Sequence, residues 1–203
     1  MSRSLEFLKS CTVGIAGAGG LGSNCAVALA RSGVGHLVIA DFDCVSRDNL
    51  NRQAFFVDQV GEKKVAALRA NLQRMAPDTQ VTALDLRLNE QNVLQVFAAC
   101  AVVVEALDNA TDKQMIIETF LAERPQTWLV AASGLAGYGR NELLRTRRAG
   151  HLIVCGDESS EVSAQQPPMA PRVGIVAHMQ ANVVLELLLD EPSLPQRIEE
   201  HAK

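Results

Sequence analysis

The chain of 203 residues is 48% hydrophobic, enough to bury a sizeable core, and carries a net charge of −4. No block of like charges marks a nucleic-acid surface, and no apolar run reaches the length of a bilayer span. The opening MSRSLEFLKS is too short and polar for a secretory signal. The scattered Cys11, Cys25, Cys44, Cys100 and Cys155 form no CxxC pair, which argues against a disulfide framework or zinc knuckle and for a reducing, cytoplasmic setting.

In chain order, the apolar run 12–16 (TVGIA) reads as a strand and residues 21–31 as a helix. Residues 37–40 (LVIA) give a second strand. Helical spacing over 60–75 stops before Pro77. Strands at 81–84, 102–106 (VVVEA) and 128–132 (WLVAA) then alternate with helices at 91–99 and 111–123. Such alternation predicts an α/β, Rossmann-like fold, with a mostly parallel sheet and helices on both faces. A smaller, partly antiparallel carboxyl-terminal part is expected from short strands within 137–147 and 152–154. Residues 157–171 (DESSEVSAQQPPMAP) read as a long functional loop. A final, almost wholly apolar helix is expected at 173–189, in the core or in a subunit interface. No linker divides the chain, so residues 1–203 are read as one nucleotide-binding domain.

After the first strand, Gly17, Gly19 and Gly22 form G-x-G-x-x-G at a helix start. There backbone N–H groups and the helix dipole favour a phosphate. Asp41 closes the second strand, placed for ribose hydroxyls. To this point NAD, FAD and ATP fit equally. The polar block DFDCVSRDNLNRQ that begins at Asp41 separates them. Asn49, Arg52 and Gln53, with Lys64 beyond, put two cations and several donors near the phosphate loop, as a triphosphate with a pyrophosphate leaving group requires. Read alone, Arg52 is a surface cation paired with Asp48, and Lys64 belongs to a solvated helix face. Asp108 follows the fourth strand at the carboxyl edge of the sheet, where an acid can hold Mg²⁺; Asn109 and Thr111 are the better helix caps. His151 and His178 are given no role.

With these motifs in view, GxGGLGS, DFDxVxxxNLxRQ, GxxKV and the LDN after VVV resemble the adenylating domain shared by ThiF, MoeB and ubiquitin-activating enzymes. The likeness runs over residues 9–189. The chain looks most like the short form of ThiF in its length and in GLAGYG and MAPRVG. The resemblance implies ATP-dependent adenylation, with Mg²⁺, of the C-terminal glycine carboxylate of a ubiquitin-like sulfur carrier ending in Gly-Gly. It releases pyrophosphate and serves thiamine (thiazole) synthesis. It also implies a homodimer and a sulfur donor such as a cysteine desulfurase, with no nucleic-acid or membrane partner. By motif position it places Gly17, Gly19 and Gly22 at the phosphates, Asp41 at the ribose and Asp43 beside the nucleoside. Asn49, Arg52, Gln53 and Lys64 face the phosphates, and Asp108 takes the Mg²⁺. Longer relatives carry paired CxxC zinc ligands, absent here, so no structural zinc is expected. They also donate an arginine in trans, for which only Arg3 is available. Cys155 is the candidate for a covalent sulfur linkage, with a buried structural thiol as its other reading. Rival readings are adenylation of another carrier or of a modified tRNA, an NAD-dependent oxidoreductase, and a nucleotide- or carrier-binding module without turnover.

Overall fold

The computed structural model describes residues 5–190. A short 3-10 segment, Leu5–Ser10, leads into β1 (Thr12–Ala16), α1 (Gly20–Arg31), β2 (His36–Asp41), α2 (Lys64–Met75) and β3 (Gln80–Asp85). The short α3 (Val93–Val96) precedes β4 (Val102–Glu105), α4 (Ala110–Glu123) and β5 (Trp128–Ala132). Then come β6 (Arg145–Ala149), β7 (Leu152–Gly156) and α5 (Ala170–Asp190). The strands form one sheet in the order β3-β2-β1-β4-β5-β7-β6, parallel throughout except that β6 pairs antiparallel with β7. This is the expected Rossmann-like α/β architecture with a partly antiparallel end.

The central strands are continuously apolar because each face meets its own core. Val13, Ile15, Leu37, Ile39, Val102, Val104 and Val130 pack into the larger core, built with α1, α2 and α5. The alternate residues Ala16, Val38, Ala40, Val103 and Leu129 enter the second core, which holds Val93, Phe97, Ile116 and Phe120 of α3, α4 and their flanks. Gly14 faces that second side, where a Cβ would lie 2.5 Å from the Phe97 ring.

Several boundaries differ from expectation. The helix expected from residue 60 begins at Lys64, because Gly61 at φ +95° and an antiparallel bridge between Cys44 and Lys63 hold residues 60–63 outside it. The helix expected over 91–99 shrinks to Val93–Val96. Residues 137–144 are not strand; they contain positive-φ Gly137, Gly139 and Arg140, so β6 starts only at Arg145. The 21-residue α5 is long and apolar enough to span a bilayer by composition, which the sequence scan did not anticipate, but half of it is buried. It packs against α1 and against β4, β5 and β7. Arg3 and the polar tail beyond Asp190 lie outside the described residues.

Candidate functional site

The glycine loop is the hub of the cleft. Gly17 stands at φ +98°, and a Cβ there would lie 2.7 Å from the Ala106 carbonyl oxygen. A Cβ on Gly22 would lie 1.9 Å from the Gly17 oxygen. Both glycines are therefore required by close backbone packing. Gly19 differs: its nearest neighbour would be Gln53 Nε2 at 3.9 Å, so its open side faces the cleft. It also stands at the start of α1 without a side-chain cap, which leaves the first N–H groups of the helix for an anion.

Three segments converge on this loop. Asp41 accepts from the backbone N–H of Ala18 at 2.7 Å and of Asp43 at 2.8 Å, one on each carboxylate oxygen. Each oxygen retains a lone pair for a ribose hydroxyl. The polar block is tied down by two residues that the sequence reading passed over. Ser23 Oγ accepts the Ala54 N–H at 3.0 Å, and Asn24 Nδ2 donates to the Arg52 carbonyl at 2.9 Å. Arg52 thereby lies along the loop, its Cγ 3.5 Å from where a Gly20 Cβ would sit. The third segment is the turn after β4, whose Ala106 and Leu107 touch Gly17.

Arg52 is not paired with the Asp48 carboxylate. Its guanidinium donates to Asn51 Oδ1 at 2.8 Å, Asn49 Oδ1 at 3.3 Å and the Asp48 carbonyl at 3.4 Å, all uncharged acceptors. Among the described residues its charge has no carboxylate partner, so a phosphate would meet it uncompensated. Lys64 is not on a solvated face either. It is 5% exposed and donates to Asp43 Oδ2 at 2.7 Å, which joins two residues expected to touch different parts of a ligand. Two ammonium protons remain for phosphate oxygens. Gln53 is buried and its Oε1 has no partner. Asn109, and not Asp108, caps α4, accepting from Thr111 N at 2.8 Å and Asp112 N at 3.2 Å. Asp108 is exposed, without a partner among the described residues. Among the described residues, no group of three or more His, Cys, Asp or Glu side chains gathers there. A lone carboxylate fits a Mg²⁺ ion that arrives with phosphates and keeps its waters, not a protein-caged metal.

A cavity of about 440 Å³, lined by none of the residues just described, opens between residues 136–143, residues 157–166 and the first turn of α5. Tyr138, Arg140, Asp157, Ser160, Gln166 and Arg172 line it. Arg172 and Asp157, both side chains 3% exposed, form an ion pair at 2.5 Å, and Arg172 also donates to the Gly139 carbonyl. Burial alone would raise the Asp157 carboxyl. The N–H groups of Ser160 and Ser159, with Arg172, outweigh it and hold the pKa well below the usual range. Arg140 and Glu158 flank this cavity in left-handed backbone, at φ 50° and 58°. Val173, next to Arg172 in α5, packs on the glycine loop, where a Cβ on Gly20 would lie 3.0 Å from it.

A model of the ThiF family matches residues 2–201. The chain belongs to the ThiF family. Its sequence is 30% identical to molybdopterin-synthase adenylyltransferase of Salmonella typhimurium over 90% of this chain and 75% of that protein. It is 39% identical to the SAMP-activating enzyme E1 of Haloferax volcanii, over 54% of this chain and 41% of that one. Among solved structures, the E. coli tRNA N6-threonylcarbamoyladenosine dehydratase in complex with AMP superposes with a TM-score of 0.82 at 20% identity. That match covers 91% of this chain and 88% of that one, and it shows a shared fold.

Within this ThiF-family chain, Cys155 does not sit where a nucleophile would. It is fully buried in β7, and burial pushes its thiol up to about 11. A thiol so disposed is poorly ionised and inaccessible, which favours the structural reading. Cys44 is exposed on the segment that bridges to Lys63.

Proposed function

We propose that this ThiF-family protein is an ATP-dependent adenylyltransferase that activates the C-terminal glycine carboxylate of a small ubiquitin-like sulfur carrier and releases pyrophosphate, in a route to the thiamine thiazole. Family membership and the likeness to an adenylyltransferase over 90% of the chain support the reaction class. The observation that carries the reading is Arg52, an uncompensated guanidinium held along a glycine loop whose open residue is Gly19.

A carboxylate oxygen attacks the α-phosphorus, and the bond from that phosphorus to the α–β bridging oxygen breaks, the oxygen leaving with pyrophosphate. This is a like-charge encounter. Unit charges at roughly 4 Å repel by about 4 kcal/mol at an effective dielectric near 20. Arg52 and Lys64 offset that repulsion and neutralise the departing pyrophosphate, while the α1 N-terminus takes a phosphate on its free N–H groups. Asp41 fixes the ribose, and Asp43 holds the Lys64 ammonium at the cleft edge. Asp108 would hold Mg²⁺, which spreads the phosphate charge. The acceptor tail enters through the cavity beside Arg172, with residues 157–171 closing over it. A homodimer and a cysteine-desulfurase sulfur donor belong to the same proposal.

The test is ATP–pyrophosphate exchange with ubiquitin-like proteins ending in Gly-Gly, in parallel with tRNA bearing threonylcarbamoyladenosine. Exchange that depends on the carrier supports the reading. Exchange that depends on the tRNA moves the chain to the second reading, favoured by a 42% identity over 94 residues with the Bacillus subtilis tRNA threonylcarbamoyladenosine dehydratase, 46% of this chain and 37% of that one.

A further inference from the structure

The seam between β4 and β5 contains polar groups that the reaction just described does not use. Parallel pairing of these strands ends at Val104 and Val130. Beyond it, β5 continues its ladder only with β7, and Glu105 meets β5 through its carboxylate, which the Ala132 backbone helps to hold. Side chains from opposite faces fill the opening. From α5, the buried Gln180 donates Nε2 to the carbonyls of Glu105 at 2.9 Å and Val130 at 3.1 Å. From the first turn of α4, Lys113 donates to the Ala132 carbonyl at 3.0 Å and to the Glu105 carboxylate. Glu105 is completely buried, and its other oxygen accepts the Leu107 N–H at 2.8 Å.

Such a pair is an expensive way to fill a core. The Glu105 carboxylate is wholly out of water while Lys113 is a quarter exposed, and burying that carboxylate costs more than packing an apolar side chain in its place, so stability alone does not account for it. Burial raises the Glu105 carboxyl pKa, and Lys113 opposes the shift. Its geometric consequence is specific. Leu107 is pinned immediately before Asp108, and Asn109 caps α4 immediately after it. Asp108 is therefore held between two fixed points. The same turn touches the glycine loop, through Ala106 and Leu107 against Gly17.

We propose that Glu105 and Lys113 are positioning residues, a brace between β4, α4 and β5 that sets the Asp108 carboxylate over the glycine loop to receive a divalent cation bound to the nucleotide. The inference rests on the reading of Asp108 as the cation ligand. Lys113 acts through Glu105 and Leu107, and it touches no reacting atom.

The test is calorimetric titration with a non-hydrolysable ATP analogue, with and without Mg²⁺, on wild type, Lys113→Met, Lys113→Arg and Asp108→Asn. In wild type Mg²⁺ tightens binding roughly tenfold, within the usual range of coupling between two ligands. Lys113→Met is expected to lose most of that gain while its Mg²⁺-free affinity stays within about twofold, and Lys113→Arg to restore it. A brace serving only the fold would lower thermal stability and leave the Mg²⁺ gain intact. Wild-type gain in Lys113→Met, with the gain lost in Asp108→Asn, overturns the brace alone. Wild-type gain in both variants overturns the metal reading and the brace with it. Should Lys113→Met fail to fold, Lys113→Gln keeps a donor toward Glu105 and Ala132 without the charge. A partial loss of the gain then supports the brace, and an unchanged gain overturns it.

Discussion

The two sides of the cleft handle charge in opposite ways. On the β1–β2 side, Arg52 meets only neutral acceptors, and Lys64 shares one proton with an Asp43 that is itself 47% exposed. Along β4 and after β7, Glu105–Lys113 and Asp157–Arg172 are closed pairs with their acids inside the protein. Charges left uncompensated lower the cost of binding a polyanion. Charges closed against each other add little attraction for a ligand but fix the backbone around them. One set of charges is thus left available for a polyanion, and the other set holds backbone segments in place.

The sharpest way to break this contrast is to remove the unpaired Arg52 and the Lys64 that keeps two protons beyond its bond to Asp43. Arg52→Ala and Lys64→Ala are expected to reduce ATP–pyrophosphate exchange by at least ~100-fold, the scale of losing a donor to developing charge. Folding should survive in both; exchange at the wild-type rate in either would contradict the assignment. The opposite result is expected across the cleft. Asp157→Ala strands Arg172 and should cost about 3–5 kcal/mol, read by chemical denaturation. The effect has a definite pH sign. The folded pKa of Asp157 lies below the unfolded value of about 3.9, so the stabilisation is complete above that value and is lost as pH falls toward the folded pKa. The gap between wild type and variant should therefore be wide at pH 6 and narrow toward pH 3.

The glycines sharpen the comparison further. Gly19→Ala meets nothing closer than 3.9 Å and keeps its φ of −80°, so it should fold normally. Its new methyl group enters the phosphate side and is expected to weaken ATP binding roughly tenfold, a loss of about 1.4 kcal/mol. Gly22→Ala, 1.9 Å from the Gly17 oxygen, should instead lose stability together with binding. The smallest effect is expected at the exposed Arg147 of β6, paired with Glu158. Arg147→Ala should move the melting temperature by no more than about 2 °C and leave exchange unchanged.

Much of the nucleotide side was legible because it is local in sequence. Gly17 to Gly22 and Asp41 to Gln53 carry their spacing in two short strings, and uninterrupted strands such as TVGIA and VVVEA announce a doubly covered sheet. The far side was not, because its contacts are long-range. Arg172 reads as the start of an apolar helix until the fold brings it back to Asp157, and Gln180 is silent until it plugs the β4–β5 seam. Glu105 did carry a signal, an acid inside VVVEA with a lysine eight residues later, but only tertiary structure closes that pair. The helix expected from residue 60 failed on Gly61, whose left-handed backbone outweighed the apolar periodicity. Asn24 could not be foreseen, since its link to Arg52 spans 28 residues.

The central claim is that the site receives a nucleoside triphosphate through Arg52, which has no carboxylate partner among the described residues, and Lys64, which Asp43 holds in place. Calorimetry with Mg-ATP and NAD⁺ on wild type and Lys64→Ala tests it most directly. The account requires wild type to bind Mg-ATP in preference to NAD⁺ and Lys64→Ala to lose that preference. Binding of NAD⁺ without ATP, unaffected by Lys64→Ala, would contradict it and return the chain to the redox branch of its fold.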